Sequence, residues 1–509
     1  MTNSRQQLFE QTLSGLSLSQ PETVALDGND RVITYSHLPQ AIACWRTTLD
    51  RLKVQRVAYN LDNCTTWALL DLALLTSNRT AVPVPGFFSP DQVRHLLKIS
   101  GCEIYITAEP HSELGTLIMQ GEGWYAWQLT PSAACAPPEG TAKITFTSGS
   151  TGTPKGVCLS AETLLQTANS LYTTLKSLNI NKHLSLLPLS LLLENVAGLY
   201  ANLLNGSSIV LRRMRDLGLE GSSHLNIQQF ISSQADIQPN SIVLVPQQLL
   251  ALTIAAELGM ALPSSYHFIA VGGGKIAPSL LQRSRKLGLP VYEGYGLTEC
   301  GSVVTLNRPG LDSPGSVGPP LDHVKLKVID GEVVVQAPRM LGYLGDNKSP
   351  DQCVHTGDLG VMSENGFLTL NGRINNRIIT SYGRNLSPEW VESELQSEIE
   401  IGLAAVFGDD QPENCALVTS RLGADEAAIT KAIAQCNSRL PDYAQIGRWR
   451  LISLEQLQTN NCITANGRIR RHVVERVFSD YIHLKACPSQ VGASISVASR
   501  TEREEISHT

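Results

Sequence analysis

Between Thr145 and Gly156 the chain reads Thr-Phe-Thr-Ser-Gly-Ser-Thr-Gly-Thr-Pro-Lys-Gly, with six hydroxyl side chains and two glycines ahead of a Pro-Lys-Gly. Such a loop has little side chain to bury. What it offers is backbone N–H groups, hydroxyl donors and one cation, the groups that polyphosphate oxygens require. It is not the common nucleoside-triphosphate loop. That motif needs a Lys-Ser/Thr pair opening a helix, whereas Lys155 stands between Pro154 and Gly156. A flexible Gly/Ser linker is the bland alternative. It is disfavoured because the stretch continues an apolar-leaning run, Ala142–Phe146, and leads into strand-like Val157–Leu159.

Further clusters follow downstream. Gly272-Gly273-Gly274 comes after strand-like Phe268–Val271, and Tyr292-Glu293-Gly294-Tyr295-Gly296-Leu297-Thr298-Glu299 comes soon after that. His355-Thr356-Gly357-Asp358-Leu359 and Gly372-Arg373 complete the set. Taken singly, each is weak: a glycine triplet or Thr-Gly-Asp is ordinarily a turn, and a Glu after Thr is ordinarily surface. The Tyr292–Glu299 stretch is not a dinucleotide fingerprint, since no third glycine stands at the required offset. A carboxylate there suits a hard cation whose other ligands are phosphate oxygens.

These clusters need a scaffold, and the pattern predicts a layered α/β protein over the first three-quarters of the chain. Strands are expected at Val57–Leu61, Thr80–Val84, Ile104–Thr107, Ser208–Leu211, Ile242–Val245, Phe268–Val271 and Val291–Glu293. Helices are expected at Thr66–Thr76, Pro90–Ser100, Thr163–Leu178, Ile227–Ser233, Ala251–Leu258 and Pro278–Leu287. From Val324 to Leu370 short strands with glycine turns (Val324–Ile329, Glu332–Gln336, Phe367–Leu370) predict a compact β subdomain. Gly372-Arg373-Ile374-Asn375-Asn376 reads as a turn. A βαβ-type unit follows it: Arg377–Thr380, Pro388–Ile399, Gly402–Phe407, Ala416–Thr419 and Glu426–Ser438. The expected organisation is therefore a large N-terminal α/β domain over 1–374, a small C-terminal α+β domain over 375–484, and a Ser/Thr- and charge-rich tail over 485–509 that reads as disordered.

At 509 residues, 42% hydrophobic and 17% charged, the composition is that of a folded multidomain chain rather than a disordered one. A net charge of −6 argues against nucleic acid as a bulk partner. The basic run Arg468–Arg476 reads as a solvated helix face. Eleven cysteines without a C-x-x-C pair suggest free thiols in a reduced, cytoplasmic chain. Met1–Pro21 has no apolar core of a signal peptide. No apolar run suggests a membrane span, and Leu184–Leu193 is broken by Pro188 and two serines.

In their order, the clusters resemble the motifs of the adenylate-forming superfamily of acyl-CoA synthetases, carrier-protein adenylation domains and luciferases. The resemblance runs from Thr34-Tyr35-Ser36-His37-Leu38 to Arg471. It implies that Thr147, Ser148, Gly149, Ser150, Thr151, Gly152 and Lys155 wrap the β- and γ-phosphates of ATP. It implies that Gly272, Gly273 and Gly274 lie against adenine and the acyl pocket, since only glycine lets a backbone approach so closely. By the same resemblance Glu293, Gly294, Tyr295 and Gly296 surround adenine, with Tyr295 stacking on it; Thr298 bonds the α-phosphate and Glu299 holds Mg²⁺. Asp358 accepts the ribose hydroxyls, and Arg373 reaches the ribose and phosphates. Asn375 is the hinge, and Ser381, Tyr382, Gly383 and Arg384 form the thiol-delivery face.

Three positions depart from the family pattern. The C-terminal loop usually carries a lysine that bridges the carboxylate and the α-phosphate; here Arg468 stands in Thr464-Ala465-Asn466-Gly467-Arg468. Arginine keeps the charge in a wider planar fork. Either it does the same work in a reshaped pocket, or adenylation is slow, or the chain mainly runs the second half-reaction; the retained phosphate motifs favour the first. Hinge residue Asn375 replaces the usual Asp or Lys. Leu191, in Pro188–Glu194, replaces a histidine and suggests a more apolar acyl wall, with Glu194 and Asn195 beside it, although a plain core leucine reads equally well.

The resemblance implies two steps: a carboxylate attacks the α-phosphorus of MgATP, then a thiol displaces AMP as the small domain rotates about Asn375. The thiol is expected to be coenzyme A; the phosphopantetheine of a separate carrier protein is the alternative. Ile378–Asn385 is similar to the longer loop of long-chain acyl-CoA ligases and points to a fatty or other aliphatic acid. A non-catalytic nucleotide-binding relative and a luciferase-like oxygenase are the competing readings.

Overall fold

The structure is a computed structural model and describes residues 4–110, 114–130, 135–147, 154–220, 224–346, 352–381, 384–411, 413–464 and 467–483. Two eight-stranded sheets build most of the chain, with helices between and outside them. In the first, Val24–Gly28, Ser208–Leu211, Lys182–Leu184, Ser241–Leu244, Phe268–Val271 and Val291–Leu297 run parallel, with antiparallel edges at Val32–Thr34 and Ser302–Leu306. In the second, Thr141–Thr147, Thr80–Pro83, Arg56–Asn60 and Ile104–Thr107 form the parallel centre. Lys155–Ser160 pairs antiparallel with Thr141–Thr147, so the hydroxyl-rich loop is the connection of a hairpin.

Period-two side-chain alternation explains how the strands hold two layers of core apart. Ile209 and Leu211 face the helices between the sheets, while Val210 faces the outer helices. Helix Thr65–Leu75 is apolar on nearly every side and buried at every position, as a helix between two sheets must be. Pro90–Ser100 covers the outer face of the second sheet, opened by a Ser89–Gln92 capping box and closed by Gly101 in the left-handed region.

The expected β subdomain is an antiparallel meander of Lys325–Ile329, Glu332–Ala337, Val354–Met362 and Leu368–Arg373. Its last strand overturns part of one expectation: Gly372 and Arg373 are strand, and the turn proper is the 3₁₀ segment Ile374–Asn376. The C-terminal unit has its own core on Ile401–Phe407, Asn414–Ser420 and Ile446–Leu451, with helices Pro388–Gln396 and Glu426–Asn437. Asn414–Ser420, Glu426–Asn437 and Ile446–Leu451 make the βαβ unit, since the two strands are parallel. Among the described residues no helix is long and apolar enough to cross a membrane.

Several boundaries move. The third expected helix starts at Ala161, behind the Ser160 cap, and its last turn tightens to 3₁₀ over Lys176–Leu178. Another begins at Pro246 rather than Ala251, because proline suits the first helical position. The strand at Val291 does not stop at Glu293 but continues to Leu297, taking in Tyr295–Leu297. The tail after Lys485 lies outside the described residues.

The C-terminal unit docks on helix Pro278–Lys286. Ser279 Oγ donates to Glu394 Oε2 at 2.6 Å, and Arg283 Nη1 donates to the Ser397 carbonyl at 3.0 Å. Arg471, expected on a solvated face, instead pairs with Glu392 and lies over the Phe407 ring.

Candidate active site

The glycine triplet sits where its strand ends. Phe268–Val271 pairs in parallel with Val291–Leu297, placing Val271 opposite Glu293, and the chain then turns through Gly272–Gly274. Gly273 has φ +76°, and a side chain on Gly272 would stand 3.5 Å from the Gly294 carbonyl. Gly296 is required more strictly, since a Cβ there would come within 1.9 Å of the Ser302 carbonyl at the bulge between the two strands. Around the triplet stand Leu193, Val245 and Pro246, each 3.4–3.8 Å from where a glycine Cβ would project. These three were not singled out from the sequence, because apolar residues before a proline or after a leucine run carry no distinguishing signal.

Asp358 and Arg373 face each other across adjacent strands of the meander. Arg373 Nε lies 2.9 Å from Asp358 Oδ1, and its Nη2 donates to the Thr356 carbonyl. Tyr295 OH donates to Asp358 Oδ2 at 2.7 Å, tying the meander to the glycine turn. Burial raises the Asp358 pKa, against the opposing pull of Arg373 and the Tyr295 hydroxyl. Burial also holds the Tyr295 phenol well above its ordinary value, so it remains a donor. Glu293 is buried beneath, and burial raises its pKa to about 7 against Lys275 and Arg285. Lys275, another residue without a sequence signal, donates to the Leu370 carbonyl.

Arg468 arrives from the C-terminal unit. Thr464 N–H donates to the Arg468 carbonyl and Arg468 N–H to Thr464 Oγ1, which holds the two residues together. The guanidinium crosses to the N-terminal unit and donates from Nη2 to the Gly273 carbonyl at 2.6 Å. The side chain is exposed, and partial desolvation of its guanidinium, then the like charge of Arg373, lower its pKa from the ordinary arginine value. Two guanidiniums that repel each other are an environment that an anion relieves.

Thr298 opens a 3₁₀ turn at the end of the same strand, and its hydroxyl has no hydrogen-bond partner among the described residues. Glu299 follows; Tyr343 OH donates to its Oε1 at 3.0 Å. Lys155 Nζ lies 5.7 Å from the centroid of the Tyr343 ring. Thr147 ends the strand before the loop, and Ser148, Gly149, Ser150, Thr151 and Gly152 lie outside the described residues. So do Tyr382 and Gly383. Their neighbours Ser381 and Arg384 are exposed, and among the described residues their side chains make no hydrogen bond or ion pair. Asn375 is exposed in the 3₁₀ segment, where neighbouring Asn376 donates to Glu389.

Two expected acyl-pocket residues are engaged elsewhere. Leu191 is partly buried, but the chain after it continues as a π-helical stretch, Glu194–Tyr200. The wider π turn brings Asn195 and Tyr200 to one face, where an α-helix would set them about 140° apart. Both reach a fully buried cluster: Lys143 Nζ donates to Asp71 Oδ1 at 2.6 Å, to Asn195 Oδ1 and to Tyr200 OH, and Asn195 Nδ2 donates to Asp71 Oδ2. Glu194 is buried with His183, whose Nε2 lies 2.8 Å from its Oε1. Asn195 and Glu194 therefore belong to the interior rather than to a pocket wall.

Among the described residues no group of three His, Cys, Asp or Glu could hold a metal ion. Glu299 is a carboxylate whose Oε2 is unpartnered among them. That donor set fits a hard divalent cation completing its shell with phosphate oxygens and water, and does not fit an all-protein site.

The AMP-binding enzyme family matches residues 17–344, and the AMP-binding enzyme C-terminal domain matches residues 375–484. A 2-succinylbenzoate–CoA ligase of Enterococcus faecalis is 29% identical over 361 residues, spanning 66% of this chain and 69% of that protein. A long-chain-fatty-acid–CoA ligase of Mycobacterium bovis is 24% identical over 512 residues, spanning 82% and 85%. The o-succinylbenzoate CoA synthetase of Bacillus subtilis, solved with its acyl-adenylate intermediate, shares the fold. Its TM-score is 0.71 at 23% identity, over 91% of this chain and 97% of that one. The two family matches cover both units of the fold, and the chain belongs to the AMP-binding enzyme family, as an adenylate-forming enzyme of the acyl-CoA synthetase type.

Proposed function

We propose that this protein activates a carboxylic acid with an apolar body to its acyl-adenylate and transfers the acyl group to coenzyme A. The observation that carries the reading is the bond from Arg468 to the Gly273 carbonyl, which brings the lid cation to a turn walled by Leu193, Val245 and Pro246. An acid lying against those side chains presents its carboxylate at the turn. The Arg468 guanidinium then offsets charge gathering between carboxylate and α-phosphate, as preorganised donors do.

Other residues take the roles that their positions allow. Asp358, with Arg373 and Tyr295 orienting it, accepts ribose hydroxyls. Thr298 donates to the α-phosphate, and Lys155 with the hydroxyl-rich loop binds the leaving pyrophosphate. Mg²⁺ held at Glu299 supplies charge neutralisation on the phosphates. After adenylation, rotation near Asn375 withdraws Arg468 and exchanges it for the Ser381–Arg384 face. Coenzyme A is favoured over a carrier protein as acceptor because it is the thiol in the relatives' names.

The apolar walls favour a fatty or other aliphatic acid, in line with the long-chain relative. The second reading is an aryl dicarboxylate, favoured by the 2-succinylbenzoate–CoA ligases among the relatives. Purified protein with MgATP and coenzyme A, given short-, medium- and long-chain fatty acids and 2-succinylbenzoate separately, separates the two by mass spectrometry of acyl-adenylate and acyl-CoA. A fatty acyl-CoA supports the first reading. A succinylbenzoyl-CoA replaces it with the second, and adenylate without acyl-CoA moves the acceptor to a carrier protein.

A further inference from the structure

Tyr343 belongs to no motif recognised in the sequence, yet it touches two site residues from different segments. Its short strand, Gly342–Tyr343, adds antiparallel to Lys155–Ser160, with Tyr343 opposite Val157 and Gly342 opposite Cys158. Flanking bonds complete the attachment, from Leu341 N–H to the Cys158 carbonyl and from Leu344 N–H to the Gly156 carbonyl. The approach is close: a Cβ on Gly156 would lie 3.0 Å from Ile144 Cγ2 and 3.1 Å from both Leu344 Cβ and Phe146. On the other side, Met340 N–H donates to the Glu299 carbonyl at 2.6 Å. The segment is therefore stitched to the strand carrying Lys155 and to the turn carrying Glu299.

The side chain uses that placement at both ends. Its hydroxyl donates to Glu299 Oε1 at 3.0 Å and leaves Oε2 unpartnered among the described residues. Its ring lies under Lys155 Nζ at 5.7 Å from the centroid, within cation–π range. Lys155 Nζ makes no ion pair or hydrogen bond among the described residues, so the ring is its protein seat.

We propose that Tyr343 is a positioning residue that sets Glu299 for a divalent cation through its hydroxyl and Lys155 for phosphate through its ring. Resting on the reading of Glu299 and Lys155 above, this joins metal and phosphate binding through one side chain. With Oε1 occupied by the phenol, the carboxylate is held in one rotamer with Oε2 directed away from it. The cation then meets an oriented ligand rather than a freely rotating one.

The two functions separate by substitution. Tyr343→Phe keeps the ring and removes the hydroxyl, whereas Tyr343→Leu removes both. Mn²⁺ binding is measured by electron paramagnetic resonance with ATP and no acid present, and ATP binding by calorimetry in EDTA. For Tyr343→Phe, Mn²⁺ affinity falls about 10-fold, the scale of one hydrogen bond to a charged group. Its ATP affinity in EDTA stays unchanged, and saturating metal restores turnover. Tyr343→Leu loses about 3-fold in ATP affinity in EDTA as well. Unchanged or tighter Mn²⁺ binding by Tyr343→Phe overturns the hydroxyl role, and unchanged ATP binding by a folded Tyr343→Leu overturns the ring role. If Tyr343→Leu does not fold, Tyr343→Met, which also lacks the ring, reads the ring role instead: an ATP affinity in EDTA equal to that of Tyr343→Phe overturns it. Glu299→Gln is the control for the underlying reading. If it keeps Mn²⁺ binding, the metal assignment fails; if it loses binding while Tyr343→Phe does not, only the positioning proposal fails.

Discussion

Arg468 Nη2 and the Gly273 carbonyl are 2.6 Å apart, although 195 residues separate them in the chain. The bond joins the tip of a C-terminal loop to a turn that has no side chain to offer. Only the backbone of Gly273, at φ +76°, presents its oxygen there. With the Ser279–Glu394 bond it fixes the C-terminal unit in one orientation over the glycine turn.

Removing that cation tests its part in adenylation. Arg468→Ala lowers acid-dependent pyrophosphate exchange about 10²–10³-fold, the range for losing one charge-stabilising donor. Thermal stability stays near that of the parent, because the side chain is exposed. Arg468→Lys recovers most of the rate, since the charge is kept although the fork is lost. Normal exchange by the alanine variant would separate Arg468 from the first half-reaction.

Glu293 makes stability depend on pH. Its folded pKa, raised to about 7 by burial, lies above the ordinary glutamate value of 4.5. The neutral carboxyl is thus favoured in the folded state. This contribution is complete below about pH 4.5 and is lost as pH rises through about 7. Relative to Glu293→Gln, the parent loses about 1–3 kcal/mol of unfolding free energy between about pH 5 and pH 8. Urea unfolding of both proteins across that interval measures it; parallel curves would place the Glu293 carboxyl in a wetter environment.

The buried Lys143–Asp71 pair sets a stability prediction. Burial lowers the Lys143 pKa while Asp71 opposes the shift. Lys143→Met leaves the Asp71 carboxylate buried with Tyr59, Tyr200 and Asn195 alone, and costs about 3–5 kcal/mol. Adding Asp71→Leu recovers part of that loss, because no isolated charge remains. Denaturant titration of the single and double variants is the measurement, and equal losses in both would show that packing rather than charge dominates.

How far the chain could be read in advance differs from residue to residue. Gly272–Gly274, Tyr295, Thr298 and Asp358 stand out as members of contiguous clusters within single stretches of chain. Strand Phe268–Val271 and helix Pro90–Ser100 were legible for the same reason, as local periodicity and capping decide them. Glu194 and Asn195 were misplaced because a π-helical turn, which periodicity of 3.6 does not anticipate, rotates them into the interior.

By itself, then, the sequence determined the layered class, the order of the Thr145–Gly156, Gly272–Gly274, Tyr292–Glu299 and His355–Leu359 clusters, and the arginine at 468. Those depend on residue type and spacing along one segment. Tertiary structure alone decided that Tyr343 stands between Lys155 and Glu299, that Leu193 and Val245 wall the glycine turn, and that Arg468 reaches Gly273. Each is a contact between segments remote in the chain, set by strand pairing and by docking of one core on another. Such contacts leave no trace in local spacing, because the energy that selects them is the burial and hydrogen bonding of whole elements.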